Sequence, residues 1–182
     1  GLIADLGAGM TPVREAIRRL TAEGALLPQG NRRVAVPELS AEMLDQVAFA
    51  RLAIEPRLAE LAALRLTPAA IDRLELIDAA VSRAIDTGNL PDYLGANHAF
   101  HFAIYEAANA PVLLDMARSL WLRAGPSLRA VIDRFGREAA PDLHHEAIMA
   151  MRAGNAGALA DAIRRDIQQG IDHVRQALAE AT

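Results

Sequence analysis

The sequence predicts a mainly α-helical protein in two parts. A short basic front end at 1–37 mixes a helix with a hairpin, and an antiparallel bundle of six or seven helices fills 38–182. Three observations lead there. From Ser40 onward apolar residues recur at helical spacing, and no alternating stretch of useful length interrupts them. Prolines at 68, 91 and 111 stand where successive helical patterns begin, the place a helix tolerates them best. Charge also divides the chain: residues 1–37 carry five arginines against three acids, a net of +2, whereas 38–182 carry a net of −6.

Composition narrows the function classes. With 182 residues, 52% hydrophobic and 23% charged, the chain has the material for a packed core. No apolar run approaches the ~20 residues a membrane span needs, and Asp5 interrupts the short apolar start, so neither membrane nor export is expected and the reading is cytoplasmic. The absence of cysteine rules out disulfides, thiolate ligands and a cysteine nucleophile. Any metal site must therefore use His, Asp, Glu or Asn.

The elements follow in order. Leu2 to Leu6 reads as the end of a helix, Gly7-Ala8-Gly9 as a turn, and Thr11-Pro12 as a helix start in which Thr11 caps and Pro12 pre-sets the first turn. That helix runs to Gly24 with Val13, Ile17 and Leu20 on one stripe, which leaves Arg14, Arg18 and Arg19 on its other faces. Ala25 to Pro28 and Arg33 to Val36 are extended runs around Gln29-Gly30-Asn31, a hairpin with a basic tip. This order is that of a winged helix-turn-helix. In the body, the first helix begins near Ser40 and the second at Thr67-Pro68. The third spans Pro91 to about Ala108, and the fourth runs from Pro111 toward Gly125 and on to Phe135 if it continues past Pro126. The fifth spans about Ala139 to Ala153 and the sixth Asn155 to about Leu178.

Few residues in the body carry chemistry. Arg51 lies on the apolar stripe between Val47 and Ile54, so either an acidic partner or an anionic ligand should face it. On the third body helix Asn97 and His101 are one i,i+4 step apart and point at the same spot, as metal ligation from a helix requires. Two buried groups bonded to neighbours would show the same spacing. The fifth helix offers His144 and His145, one of which must face inward, and Asp166 borders the stripe of the sixth. Asn97, His101, His145 and Asp166 are the expected metal set, suited to Zn²⁺, Ni²⁺, Mn²⁺ or Fe²⁺. Trp121 and Tyr105 read as core or pocket wall, and His98 and His173 as exposed or ordinarily packed. No phosphate loop, Gly-x-Ser-x-Gly elbow or His-Glu-x-x-His occurs, so an enzyme is not the expected reading.

Leu6-Gly7 with Met10-Thr11-Pro12-Val13-Arg14-Glu15-Ala16-Ile17-Arg18-Arg19-Leu20 and Ala22-Glu23-Gly24 resembles the recognition-helix region of GntR-family bacterial transcription regulators. The body resembles the helical (FCD) effector domain of the FadR-type subgroup. The matching runs are Arg51-Leu52-Ala53-Ile54-Glu55, Asn97-His98-Ala99-Phe100-His101-Phe102-Ala103-Ile104, Ala107-Ala108-Asn109 and His145-Glu146-Ala147-Ile148. The resemblance implies that the chain begins inside the DNA-binding domain. Met10 stands where the subgroup usually has a basic or polar residue. Metal-binding members have a carboxylate four residues before the first histidine and a histidine on the last helix, where this chain has Asn97 and Asp166.

What the resemblance implies is a ligand-responsive regulator, most often a repressor, that binds operator DNA as a homodimer. Thr11, Arg14 and Arg18 on the recognition helix and Gly30, Asn31 and Arg32 in the wing would meet DNA. The effector expected is a small organic acid, held by the metal and by arginine, with Arg51 and Arg123 as its anchors. The competing reading is a helical metalloenzyme, a hydrolase or lyase using a metal-bound water.

Overall fold

The computed structural model describes residues 5–31, 33–132 (backbone only from 126) and 143–180. Among them are seven helices and one two-stranded sheet: α1 Met10–Ala22, β1 Leu27–Pro28, β2 Val34–Ala35, α2 Ala41–Ala63, α3 Pro68–Thr87, α4 Leu90–Ala107, α5 Pro111–Ile132, α6 Leu143–Arg152 and α7 Ala156–Glu180. Mainly helical architecture with a helix-and-hairpin front end is what the periodicity predicts. The stretch toward Phe135, the start near Ala139 and Arg32 lie outside the described residues.

α1 starts earlier than its sequence suggests. Gly9, with no side-chain cap bond, is the N-cap, and Thr11 lies inside the first turn rather than capping it. The first helical N–H groups have no intrahelical acceptor, so Pro12 fits at the third position and the helix can begin ahead of it. Only Val13 of the expected stripe is buried, with Ile17 and Leu20 half-buried. β1 and β2 pair antiparallel, Leu27 with Ala35 and Pro28 with Val34. The connection turns through Gly30 (φ 70°) and Asn31 (φ 45°), left-handed conformations that glycine and asparagine adopt at least cost.

The body helices begin where side chains can replace missing backbone acceptors. Ser40 Oγ accepts from the Met43 N–H at 3.2 Å, Thr67 Oγ1 from Ala70 at 3.2 Å, Asn89 Oδ1 from Asp92 at 3.2 Å and Asn155 Oδ1 from Ala158 at 3.0 Å. α2 lies along α7, α3 along α4 and α6 along α7, with α5 packed on α2, α4 and α7. Leu58, Ala59, Ala62, Phe100, Ile104, Tyr105, Leu159 and Ile163 form the centre of the core. α2 carries Pro56 in its interior, which cannot donate to the Leu52 carbonyl one turn back. Arg164 of α7 reaches that carbonyl at 3.5 Å, a long contact that offsets part of the loss. No described helix is long and apolar enough to cross a membrane.

Candidate functional site

Two polar clusters lie side by side inside the bundle. The first gathers around Glu55 of α2, which is fully buried. Arg51, one turn earlier, donates from Nε to Oε1 at 2.6 Å and from Nη2 to Oε2 at 3.2 Å. The Tyr105 hydroxyl donates to Oε2 at 2.7 Å and Trp121 Nε1–H to the same oxygen at 3.0 Å. The Arg51 guanidinium also sits 4.6 Å from the centre of the Trp121 ring. Burial works against the charge on Arg51, but Glu55 outweighs it and holds the guanidinium above its ordinary value. Tyr105, buried and beside the Glu55 charge, is pushed well above the usual tyrosine value. Of the two partners the sequence allows for Arg51, the structure supplies the acidic one.

The second cluster is built by α4, α6 and α7. His101, His144 and Asp166 each offer one ligand atom, and these atoms all lie within 4.8 Å of one another. Asp166 Oδ2 is 3.0 Å from His101 Nε2, and its Oδ1 is 3.8 Å from His144 Nε2. Both rings are oriented from behind. His144 Nδ1 lies 2.9 Å from Asp78 Oδ1 of α3, a carboxylate that can only accept, so the Nδ1 carries the proton. His101 Nδ1 lies 3.0 Å from the Tyr105 hydroxyl, whose own proton goes to Glu55, so His101 Nδ1 is the donor there as well. Phe100 stacks on His144 with ring centres 3.9 Å apart and fixes its plane. In the neutral rings both Nε2 lone pairs therefore face Asp166.

The donor set is one that a divalent metal ion takes, and the His101–Asp166 contact needs either such a cation or a proton on His101 Nε2. His101 Nε2 is buried and has no hydrogen-bond partner, although a carboxylate oxygen stands 3.0 Å away. A lone pair facing a carboxylate is unfavourable unless a cation or a proton lies between them. The spacing of the donor atoms suits ligands held at ~2 Å from one ion. Burial pushes the Asp166 carboxyl up, but the charge and hydrogen bond of His101 when protonated at Nε2, with His144 and Arg51 further off, bring it below the usual carboxylate range. Its side chain stays 24% exposed, so the cluster has a solvent-facing side. Tyr93, two turns before His101 on α4, is pushed up to about 12 by burial and by the Asp166 charge.

Placement of the expected residues differs in two respects, at His145 and at Arg123. His144, not His145, faces inward: His144 is 7% exposed, whereas His145 lies on the exposed face. The spacing contained the reason, because His144 is four residues before buried Ile148, and His145 is four before exposed Met149. Asn97 lies one turn from His101, half-buried on the same face of α4. Arg123 is exposed on α5 with its guanidinium against Gly24, where an added Cβ would sit 2.8 Å from it; this is the seam with α1 rather than the bundle interior. Thr11, Arg14, Arg18, Gly30 and Asn31 are all exposed, and Arg18 pairs with Glu15 at 2.7 Å. Sequence reasoning missed Glu55, Tyr93 and Asp78. Glu55 stood in view one turn after Arg51, but an i,i+4 pair usually marks a solvated face.

The fold and these clusters define a class of protein. Residues 46–169 match the FCD domain family, and the chain belongs to it, the helical effector-domain branch of the GntR regulators. Over 127 residues it is 34% identical to the HTH-type transcriptional regulator McbR of Escherichia coli (strain K12), a stretch covering 70% of this chain and 58% of that protein. The chain thus spans under two thirds of that curated relative. A solved structure of E. coli McbR/YncC superposes with a TM-score of 0.89 at 28% identity, covering 96% of this chain and 84% of that one. A GntR transcriptional regulator from Rhodococcus sp. RHA1 shares the fold, with a TM-score of 0.74 at 21% identity over 96% and 84% of the two chains. These relatives are named as transcriptional regulators, not enzymes.

Proposed function

We propose that the chain is part of a ligand-responsive transcriptional repressor that binds operator DNA as a homodimer, with a divalent metal and a small organic acid in its helical domain. The observation that carries the metal is the partnerless His101 Nε2 facing Asp166. His101, His144 and Asp166 would hold the ion, with Asn97 as a fourth donor, and the ion would supply a Lewis-acidic anchor for a carboxylate. One carboxylate and neutral donors leave a divalent ion with net positive charge, which favours an anionic effector. Asp166 leaves that side open to solvent. Arg51 is engaged by Glu55, so its part is to hold the wall behind the site and add positive potential near Asp166. Thr11, Arg14 and Arg18 on exposed faces of α1, with the wing tip at Gly30, Asn31 and Arg32, would meet DNA. Arginines there supply phosphate attraction and make binding weaken with salt.

Two measurements test this reading. Protein purified without chelator should hold one divalent ion per chain, and His101→Ala should hold none; equal metal content in both removes the metal. Arg14→Ala should weaken operator binding by ~1 to 3 kcal/mol per half-site with an unchanged circular dichroism spectrum. Unchanged operator affinity would remove α1 as the reading helix.

A further inference from the structure

The two histidines of the Asp166 cluster are not backed alike. His144 Nδ1 meets a carboxylate directly, Asp78 Oδ1 at 2.9 Å. His101 Nδ1 meets one at second hand: it lies 3.0 Å from the Tyr105 hydroxyl, which lies 2.7 Å from Glu55 Oε2. His101, Tyr105 and Glu55 are each exposed by 1% or less, so no solvent competes along that chain. A tyrosine hydroxyl has a single proton, and one that donates it to Glu55 can only accept from the imidazole ring. Glu55 Oε2 is also the acceptor for Trp121 Nε1–H, at 3.0 Å. The same carboxylate oxygen therefore ends both the chain that starts at His101 on α4 and the bond that comes from Trp121 on α5.

On the metal reading proposed above, we infer that Glu55, acting through the Tyr105 hydroxyl, is the positioning group of His101 as a metal ligand, and that the same chain carries the state of His101 Nε2 to Trp121. Metal-bound histidines keep their second ring N–H on a carboxylate or carbonyl oxygen, which fixes the tautomer, the plane of the ring and its basicity. An isolated phenol would do this weakly. With Glu55 behind it, the Tyr105 oxygen carries more negative charge and is a better acceptor for Nδ1–H, because bonds in a buried chain polarise one another. The same polarisation gives the direction of the response. Once Nε2 is bound to a cation, Nδ1–H is a stronger donor, the bond from Tyr105 to Glu55 tightens in turn, and Oε2 has less charge left for Trp121 Nε1–H. The chain ends on α5, the helix whose Arg123 lies against Gly24 just past the end of α1, so occupancy in the middle of the bundle is felt on an element that meets α1.

Trp121 is the sole tryptophan, so indole emission reports this end of the chain alone. The test titrates zinc into the full 182-residue chain and follows affinity by calorimetry and Trp121 emission in the same samples. The wild type should bind zinc with a saturable change in emission. Tyr105→Phe, which keeps the ring and removes the hydroxyl, should bind about tenfold more weakly and lose most of the emission change even at saturating zinc. Asp78→Asn, which removes the charge behind the other histidine, should also bind more weakly but keep the full emission change at saturation. That contrast separates the chain from a general loosening of the site, which would alter both variants alike. The rings of His101 and Trp121 lie 5.2 Å apart, so a full emission change in Tyr105→Phe would mean that Trp121 senses zinc through space, and it would overturn the relay. Unchanged zinc affinity in Tyr105→Phe would overturn the positioning role. Should that variant not fold, the single indole N–H cross-peak of the wild type decides: it should move upfield on zinc binding as its hydrogen bond weakens, and a peak that stays in place or moves downfield overturns the inference. A wild type that binds no zinc removes the metal reading and this inference together, whereas zinc binding that ignores Tyr105 removes the inference alone.

Discussion

The two clusters inside the bundle share a residue and differ in completeness. Around Glu55 each carboxylate oxygen is used, with four donated bonds from Arg51, Tyr105 and Trp121 and no exposure of the acid. Around Asp166, one turn of α4 away, the rings of His101 and His144 are held rigidly from behind, yet the inner nitrogen of His101 has no hydrogen-bond partner. Tyr105 joins the two, accepting from His101 and donating to Glu55. A buried charge network that satisfies itself specifies structure, whereas one that is preorganised and left unsatisfied is organised for something else. On the proposed reading, that difference gives Arg51 an architectural part and makes His101, His144 and Asp166 the groups that would bind.

The largest expected effect comes from breaking the closed cluster. Glu55→Gln leaves the Arg51 cation buried without its counter-ion, and losing one partner of a buried pair costs about 3 to 5 kcal/mol. Urea unfolding should show a correspondingly lower midpoint, while Asp166→Asn, at the open cluster, should shift it far less. Equal shifts in the two variants would erase the distinction between them.

The two tyrosines mark the two regions in alkaline solution. Tyr93 beside Asp166 is pushed up to about 12 and Tyr105 beside Glu55 rises well above its ordinary value, against about 10 in the unfolded chain. Between those values the unfolded state binds fewer protons than the folded one. The contribution is therefore intact below pH ~10 and is lost as pH rises toward Tyr93's folded value. An absorbance titration should show little tyrosinate from the folded protein at pH 10 and about half ionisation of both tyrosines once it is denatured. Tyrosinate appearing at pH 10 in the folded protein would mean that both hydroxyls are solvated.

A smaller effect sharpens the open cluster alone. Asp78→Asn keeps an acceptor for His144 Nδ1–H but removes the charge behind the ring, and such supporting groups are worth about tenfold or more in metal affinity. Calorimetric zinc titration should register that loss with the fold intact; unchanged affinity would detach His144 from the ion.

Much of this was legible in the sequence, for local reasons. Ser40, Thr67-Pro68 and Asn155 announce helix starts because capping is decided within four residues. The i,i+4 spacing of Asn97 and His101 places them on one face of α4 from geometry alone. What stayed hidden depends on contacts across many residues. Asp78 joins the site from a helix 66 residues away in sequence, and Trp121 reaches Glu55 over the same separation. Gly24 shows the same limit, since its backbone at φ 77° is a local signal, but the Arg123 side chain lying on it is not.

The central claim is that the open cluster holds a divalent ion, and anomalous diffraction tests it most directly. Crystals of the zinc-loaded chain, measured on both sides of the zinc absorption edge, should give one strong peak about 2.0 to 2.2 Å from His101 Nε2, His144 Nε2 and an Asp166 oxygen. No peak there, with His101 Nε2 found instead in a linear hydrogen bond to Asp166, would show the second cluster to be as self-satisfied as the first and would contradict the account.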